Sequence, residues 1–82
     1  MDEVLTPNDR FLQAYRELID IGKVSSRREF CKEIGIDRRN FEKKLAGEWP
    51  GSIKPEYLAA LVLRFGVSAD WLLTGRGWMF GE

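Results

Sequence analysis

Apolar residues recur three and four positions apart in five separate stretches of the chain, each bounded by residues that start or stop helices. Phe11, Leu12, Tyr15, Leu18 and Ile19 fall on one face behind the start signal Thr6-Pro7-Asn8, and Gly22 closes that helix. Phe30 and Ile34, with Cys31 beside them, form the inner side of a short second helix in which Ser26 and Glu29 have the spacing of a capping box. Gly35 can take positive φ and end it without a Cβ clash, which lets Ile36 point inward. Asp37 is a suitable N-cap for a third helix carrying Phe41 and Leu45 at i,i+4 spacing. A fourth helix opens across Ser52 to Pro55, with Tyr57, Leu58, Leu61, Val62 and Phe65 as its stripe and Gly66 as its stop. Ser68 caps a short fifth around Trp71, Leu72 and Leu73, which Gly75 terminates. Strand-like alternation is nowhere sustained, so the pattern predicts an all-α, compact five-helix bundle around one core.

Turning those apolar faces inward leaves Arg38, Arg39, Glu42 and Lys43 on the free side of the third helix, with Asn40 next to them and Arg27 and Arg28 at the start of the second. These residue types suit base reading in a major groove. Arginine binds guanine O6 and N7 bidentately, asparagine does the same for adenine N6 and N7, and a carboxylate accepts from cytosine N4. Two short helices hinged at a glycine, the second presenting Arg38, Arg39, Asn40 and Glu42, have the layout of a helix-turn-helix. A plainer reading stays open, in which the arginines form a solvated face and Arg38 with Glu42 makes an i,i+4 ion pair that adds only about 0.2–0.5 kcal/mol.

Charge sharpens the picture. The 82 residues carry 13 basic and 13 acidic side chains, a net charge of zero that argues against a generic polyanion binder. Between Lys23 and Lys44, however, eight basic residues (Lys23, Arg27, Arg28, Lys32, Arg38, Arg39, Lys43, Lys44) stand against four acids (Glu29, Glu33, Asp37, Glu42). A basic half on a neutral molecule orients a protein on DNA while limiting non-specific affinity, because salt-dependent binding scales with the phosphates neutralised.

At these residues the chain resembles the phage-repressor, Cro-type family of helix-turn-helix proteins, with a lambda-repressor-like DNA-binding domain. The resemblance covers most of the chain and rests on FCKEIGI from Phe30 to Ile36, on Gly47 at the end of the reading helix, and on VSADWLLTGRGWMF from Val67 to Phe80. It implies that the helix from Asp37 to Lys44 enters the major groove. Arg38, Arg39, Asn40 and Glu42 are then the base contacts, and Arg27, Arg28, Lys43 and Lys44 the phosphate contacts. The chain departs from the family at Cys31, a place usually held by alanine, and at Lys44, which is commonly an aliphatic residue in relatives. In the loop EWPGSIK, Glu48 and Trp49 stand where relatives carry basic phosphate contacts. The implied organisation is an N-terminal extension over 1–7, the DNA-binding domain over 8–75, and a tail over 76–82. Many members act as dimers on two-fold related half-sites, which makes Trp78, Met79 and Phe80 the candidate dimer contacts; the competing reading is that these apolar residues fold back over the core.

The function expected is a sequence-specific, double-stranded DNA-binding transcriptional regulator, a repressor acting as a homodimer. The alternative is a protein-interaction module on the same scaffold, antitoxin- or anti-repressor-like. No catalytic constellation accompanies either reading: there is no histidine, no Ser/His/Asp or Cys/His arrangement and no glycine-rich phosphate loop behind a strand, so no enzyme and no cofactor are expected. One cysteine without histidine excludes an internal disulfide and leaves no zinc set. The longest apolar run, Tyr57 to Leu63, is far short of the roughly 20 residues that cross a bilayer, and MDEVLTPNDR has no signal-peptide core. No membrane or metal partner is therefore expected, and a cytoplasmic setting is.

Overall fold

Thr6 starts the first helix, α1 (Pro7–Asp20), by a reciprocal capping box: its hydroxyl accepts from the Asp9 N–H and the Asp9 carboxylate accepts from the Thr6 N–H. Two orphan donors at the helix start are thereby satisfied, and Pro7 sits at a first-turn position that needs none. The computed structural model describes residues 6–48 and 53–80. Within them α1 is followed by α2 (Arg27–Ile34), α3 (Arg38–Leu45), α4 (Pro55–Phe65) and α5 (Ala69–Thr74), so the chain is all-α with five helices. Helix α1 takes in position 7, one residue ahead of the expected domain start. Trp49 and Ser52 lie outside the described residues.

Capping at α2 differs in one bond from the box expected. The Ser26 hydroxyl accepts from the Glu29 N–H, but the Glu29 carboxylate turns one residue further upstream, to the Ser25 N–H at 2.7 Å and the Ser25 hydroxyl at 2.6 Å. Those bonds, the hydroxyl's first, hold the Glu29 carboxyl below its ordinary titration range. Helix α2 stops at Gly35, whose φ of +86° is the left-handed conformation that a Cβ disfavours. Its N–H and that of Ile36 both donate to the Cys31 carbonyl, and Ile36 enters the core at 4% exposure. Asp37 then caps α3, its carboxylate accepting from the Asn40 N–H. Three residues thus separate two eight-residue helices.

One aromatic cluster fastens the helices together. Phe41 is the buried residue of α3 and meets Tyr15 of α1 at 4.9 Å between ring centroids and Phe30 of α2 at 5.3 Å. Phe11 and Phe65 extend the cluster from α1 and α4. Edge and tilted ring contacts add about 0.5–1.5 kcal/mol per pair beyond area burial. Leu18, Leu61, Trp71 and Leu72 continue the core toward α5, as the periodicities predict for all four.

Contacts between distant segments complete the fold. Arg10, on the inner face of α1, is 7% exposed; its guanidinium donates to the Leu72 carbonyl at 2.8 Å and to the Leu73 carbonyl at 2.9 Å. The Ile53 N–H donates to the Asn8 side chain at 2.9 Å, seating the start of α4 beside the start of α1. After Gly75 the chain turns back, so that the Ser68 N–H donates to the Met79 carbonyl at 2.7 Å and Val67 bridges Phe80 in antiparallel fashion.

The tail is therefore divided in what it offers a partner. Met79 and Phe80 are partly buried and packed against the core, in keeping with the fold-back reading of these two residues, while Trp78 remains 75% exposed. The division follows the pairing: Met79 and Phe80 are the residues held to Ser68 and Val67, and Trp78 lies just ahead of them.

Candidate nucleic-acid interface

Helix α3 is anchored from behind by Phe41 and, one turn on, by the partly buried Leu45, so its remaining residues are sorted by the turn of about 100° per residue. Arg39, Asn40 and Lys43 point away from the core and are exposed. Arg38 and Glu42, one turn apart, lie on the flank facing α2. Lys44 falls on the opposite flank and is half-buried, so of the expected phosphate contacts it is the one least presented to a ligand.

The two flanks are not alike. On the α2 side, Arg28, Asp37, Arg38, Arg39 and Glu42 line an open, polar concavity of about 860 Å³. Arginines from α2 and α3 are thus brought to one face, which sequence spacing alone does not require. Arg27 reaches across the helix junction. Its Nη1 lies 3.5 Å from Glu42 Oε2, and its Nε lies 3.5 Å from the Tyr15 hydroxyl, which accepts. The hydroxyl first, then Glu42, favour the charged guanidinium. Arg38 Nε approaches the same Glu42 oxygen at 3.9 Å.

Cys31 takes no part in this face. It is 4% exposed, and removal from water pushes its thiol pKa up, away from the thiolate that nucleophilic or metal chemistry needs. Among the described residues no cluster of three or more metal-ligating side chains occurs. No helix among them is long and apolar enough to cross a membrane.

A second surface has the opposite character. Between α4 and α5 an apolar groove of about 520 Å³ is lined by Pro55, Leu58, Val62, Leu63, Leu72 and Leu73, among others. Leu63 is 82% exposed at its edge.

Sequence reasoning found the residues of the basic face but not the link from Arg27 to Tyr15. The one trace of it is a tyrosine, rather than a phenylalanine, in the apolar stripe of α1. No family model matches the chain, and no curated protein or solved structure is significantly similar to it.

Proposed function

We propose that the chain is a sequence-specific, double-stranded DNA-binding transcriptional regulator, a repressor, that reads the major groove with α3. The observation that carries the reading is the gathering of Arg28 of α2 with Arg38, Arg39 and Glu42 of α3 around one polar concavity, α3 being held from behind by Phe41. Arg38 and Arg39 read base edges, with Asn40 and Glu42 beside them; Arg27, Arg28 and Lys43 engage phosphates. The net charge of zero keeps the electrostatic term modest and leaves discrimination to base contacts. A reducing cytoplasm suits the single cysteine.

Selection from a random duplex pool at near-physiological salt tests this directly. The wild-type chain is expected to enrich one sequence family, and Arg38→Ala or Arg39→Ala to lose about 1–3 kcal/mol on it with relaxed preference at one base pair. A pool left unenriched, or an enrichment indifferent to both arginines, removes the assignment of α3.

The regulator is proposed to act as a homodimer, which places its half-sites about 34–36 Å apart. Trp78 is the tail residue available for that contact. Trp78→Ala is expected to lower self-association in sedimentation while the melting curve stays within about 0.5 kcal/mol of wild type. An unchanged sedimentation profile of a dimeric wild type rules Trp78 out. A second reading, a protein-interaction module, draws support from the apolar groove between α4 and α5, since exposed apolar patches mark partner surfaces.

A further inference from the structure

Glu42 stands where a carboxylate is least favourable for a DNA-binding face, on the wall of the concavity with Arg28, Arg38 and Arg39. Its Oε2 is shared by two guanidiniums from different helices, Arg27 at 3.5 Å and Arg38 at 3.9 Å. Arg27 is steadied from its other side by the Tyr15 hydroxyl, which belongs to a ring packed between Phe30 and Phe41. The side chains of Arg27, Arg38 and Glu42 are 47%, 61% and 49% exposed, so each ion pair is screened by solvent and weak. Such contacts are weak enough to open for a better partner and strong enough to bias which partner is accepted.

We infer that Glu42 is a specificity-determining residue that restrains Arg27 and Arg38 from the phosphates of unrelated sequence; the inference rests on α3 being the reading helix. On an arbitrary duplex, an arginine that turned to a phosphate would abandon Glu42 and leave its carboxylate facing a polyanion with no donor in return, so Arg27 and Arg38 stay with Glu42. On the right sequence, a base donor such as a cytosine amino group occupies Glu42 while Arg38 takes a guanine edge, so each group released finds a replacement. Glu42 therefore weakens binding everywhere and weakens it least at the cognate site. The device is local: one carboxylate, Oε2 foremost, governs two cations that sequence places 11 positions apart.

Titration of labelled duplexes between 50 and 200 mM salt tests the inference, using ~20-base-pair random-sequence DNA and the sequence enriched by wild type. Glu42→Gln is expected to bind the random duplex about three- to tenfold more tightly, with the slope of log K against log salt steeper by about one to two, one for each arginine released to a phosphate. The ratio of cognate to random affinity falls at least as much. Glu56→Gln, an equal change of charge at an exposed position of α4 outside the concavity, is expected to leave slope and ratio unchanged. Wild-type slope and ratio in Glu42→Gln overturn the inference, as does an equal response to Glu56→Gln, which would reduce the effect to net charge. If the wild-type chain enriches no sequence at all, the DNA reading and this inference fall together; if it does and Glu42→Gln is silent, only the inference falls.

Discussion

Phe41→Ala is expected to remove about 3–5 kcal/mol of folding stability, the usual cost of emptying a large aromatic site in a packed core. Phe41 is fully buried and touches the rings of Phe11, Tyr15 and Phe30, so the space it leaves is walled by rigid side chains from two other helices and collapses poorly. A domain of this length has a total stability of about 4–12 kcal/mol, so the variant forfeits a quarter or more of it. At about 4–8 °C per kcal/mol the melting midpoint falls by roughly 12 °C or more. Thermal and urea unfolding measure this; a loss below about 1.5 kcal/mol would show that α3 is held by something other than its one buried ring. Phe41→Leu, which keeps much of the volume, is expected to cost less than half as much. Because Leu45 is only partly buried, a repacked Phe41 site also changes the tilt of α3. If α3 reads DNA as proposed, sequence-specific affinity in Phe41→Leu should then drop by more than the small loss of folded fraction explains.

Arg10→Ala is the second large effect, expected at about 2–4 kcal/mol. The Arg10 guanidinium caps the last turn of α5, where the Leu72 and Leu73 carbonyls have no partner within the helix. Hydrogen bonds from a charged donor contribute about 1.5–3 kcal/mol each, and a cation at a helix C-terminus gains further from the helix dipole. Removing the side chain takes the donor from the buried Leu72 carbonyl and the part-buried Leu73 carbonyl and opens space beneath Gly75. That glycine, at φ +83°, is where a Cβ would approach Arg10 Nη1 at 3.2 Å. Arg10→Lys recovers only part of the loss, because one ammonium does not reproduce two bonds in a fixed fork. Equilibrium unfolding of the three proteins checks the ranking wild type, Lys, Ala, and hydrogen exchange should locate the weakening in α5 and the tail. Equal stability of Arg10→Ala and wild type would mean that water replaces the guanidinium at no cost.

Much of this architecture is legible in the residues taken a few at a time. Helix periods, the Asp37 and Ser68 caps and the stops at Gly35, Gly66 and Gly75 each involve side chains and backbone within about one turn, and the helices form where those signals lie. The exposed face of α3 follows from the same arithmetic: once Phe41 and Leu45 are inward, Arg39 and Lys43 are outward. Tail residues 78–80 were not sorted this way. Their pattern, Trp-Met-Phe, is uniformly apolar, and only the tertiary pairing of Phe80 with Val67 packs two of them partly against the core and leaves Trp78 out.

Contacts between distant segments belong to the packing of the helices. Arg10 reads as one more surface charge in α1, yet it meets the carbonyl of a residue 62 positions away because α1 runs past the end of α5. Tyr15, Arg27 and Glu42 come from three helices, and their meeting depends on the angle and register at which α1, α2 and α3 settle around the Phe30 and Phe41 rings. The apolar groove is likewise lined by residues of both α4 and α5, a property of neither helix alone. Local patterning thus specified the five helices and the chemistry on their surfaces, since it acts through neighbours in the chain. Which of those charges share a partner was settled by side-chain volumes in a close-packed core, where a change at one ring moves every helix that touches it.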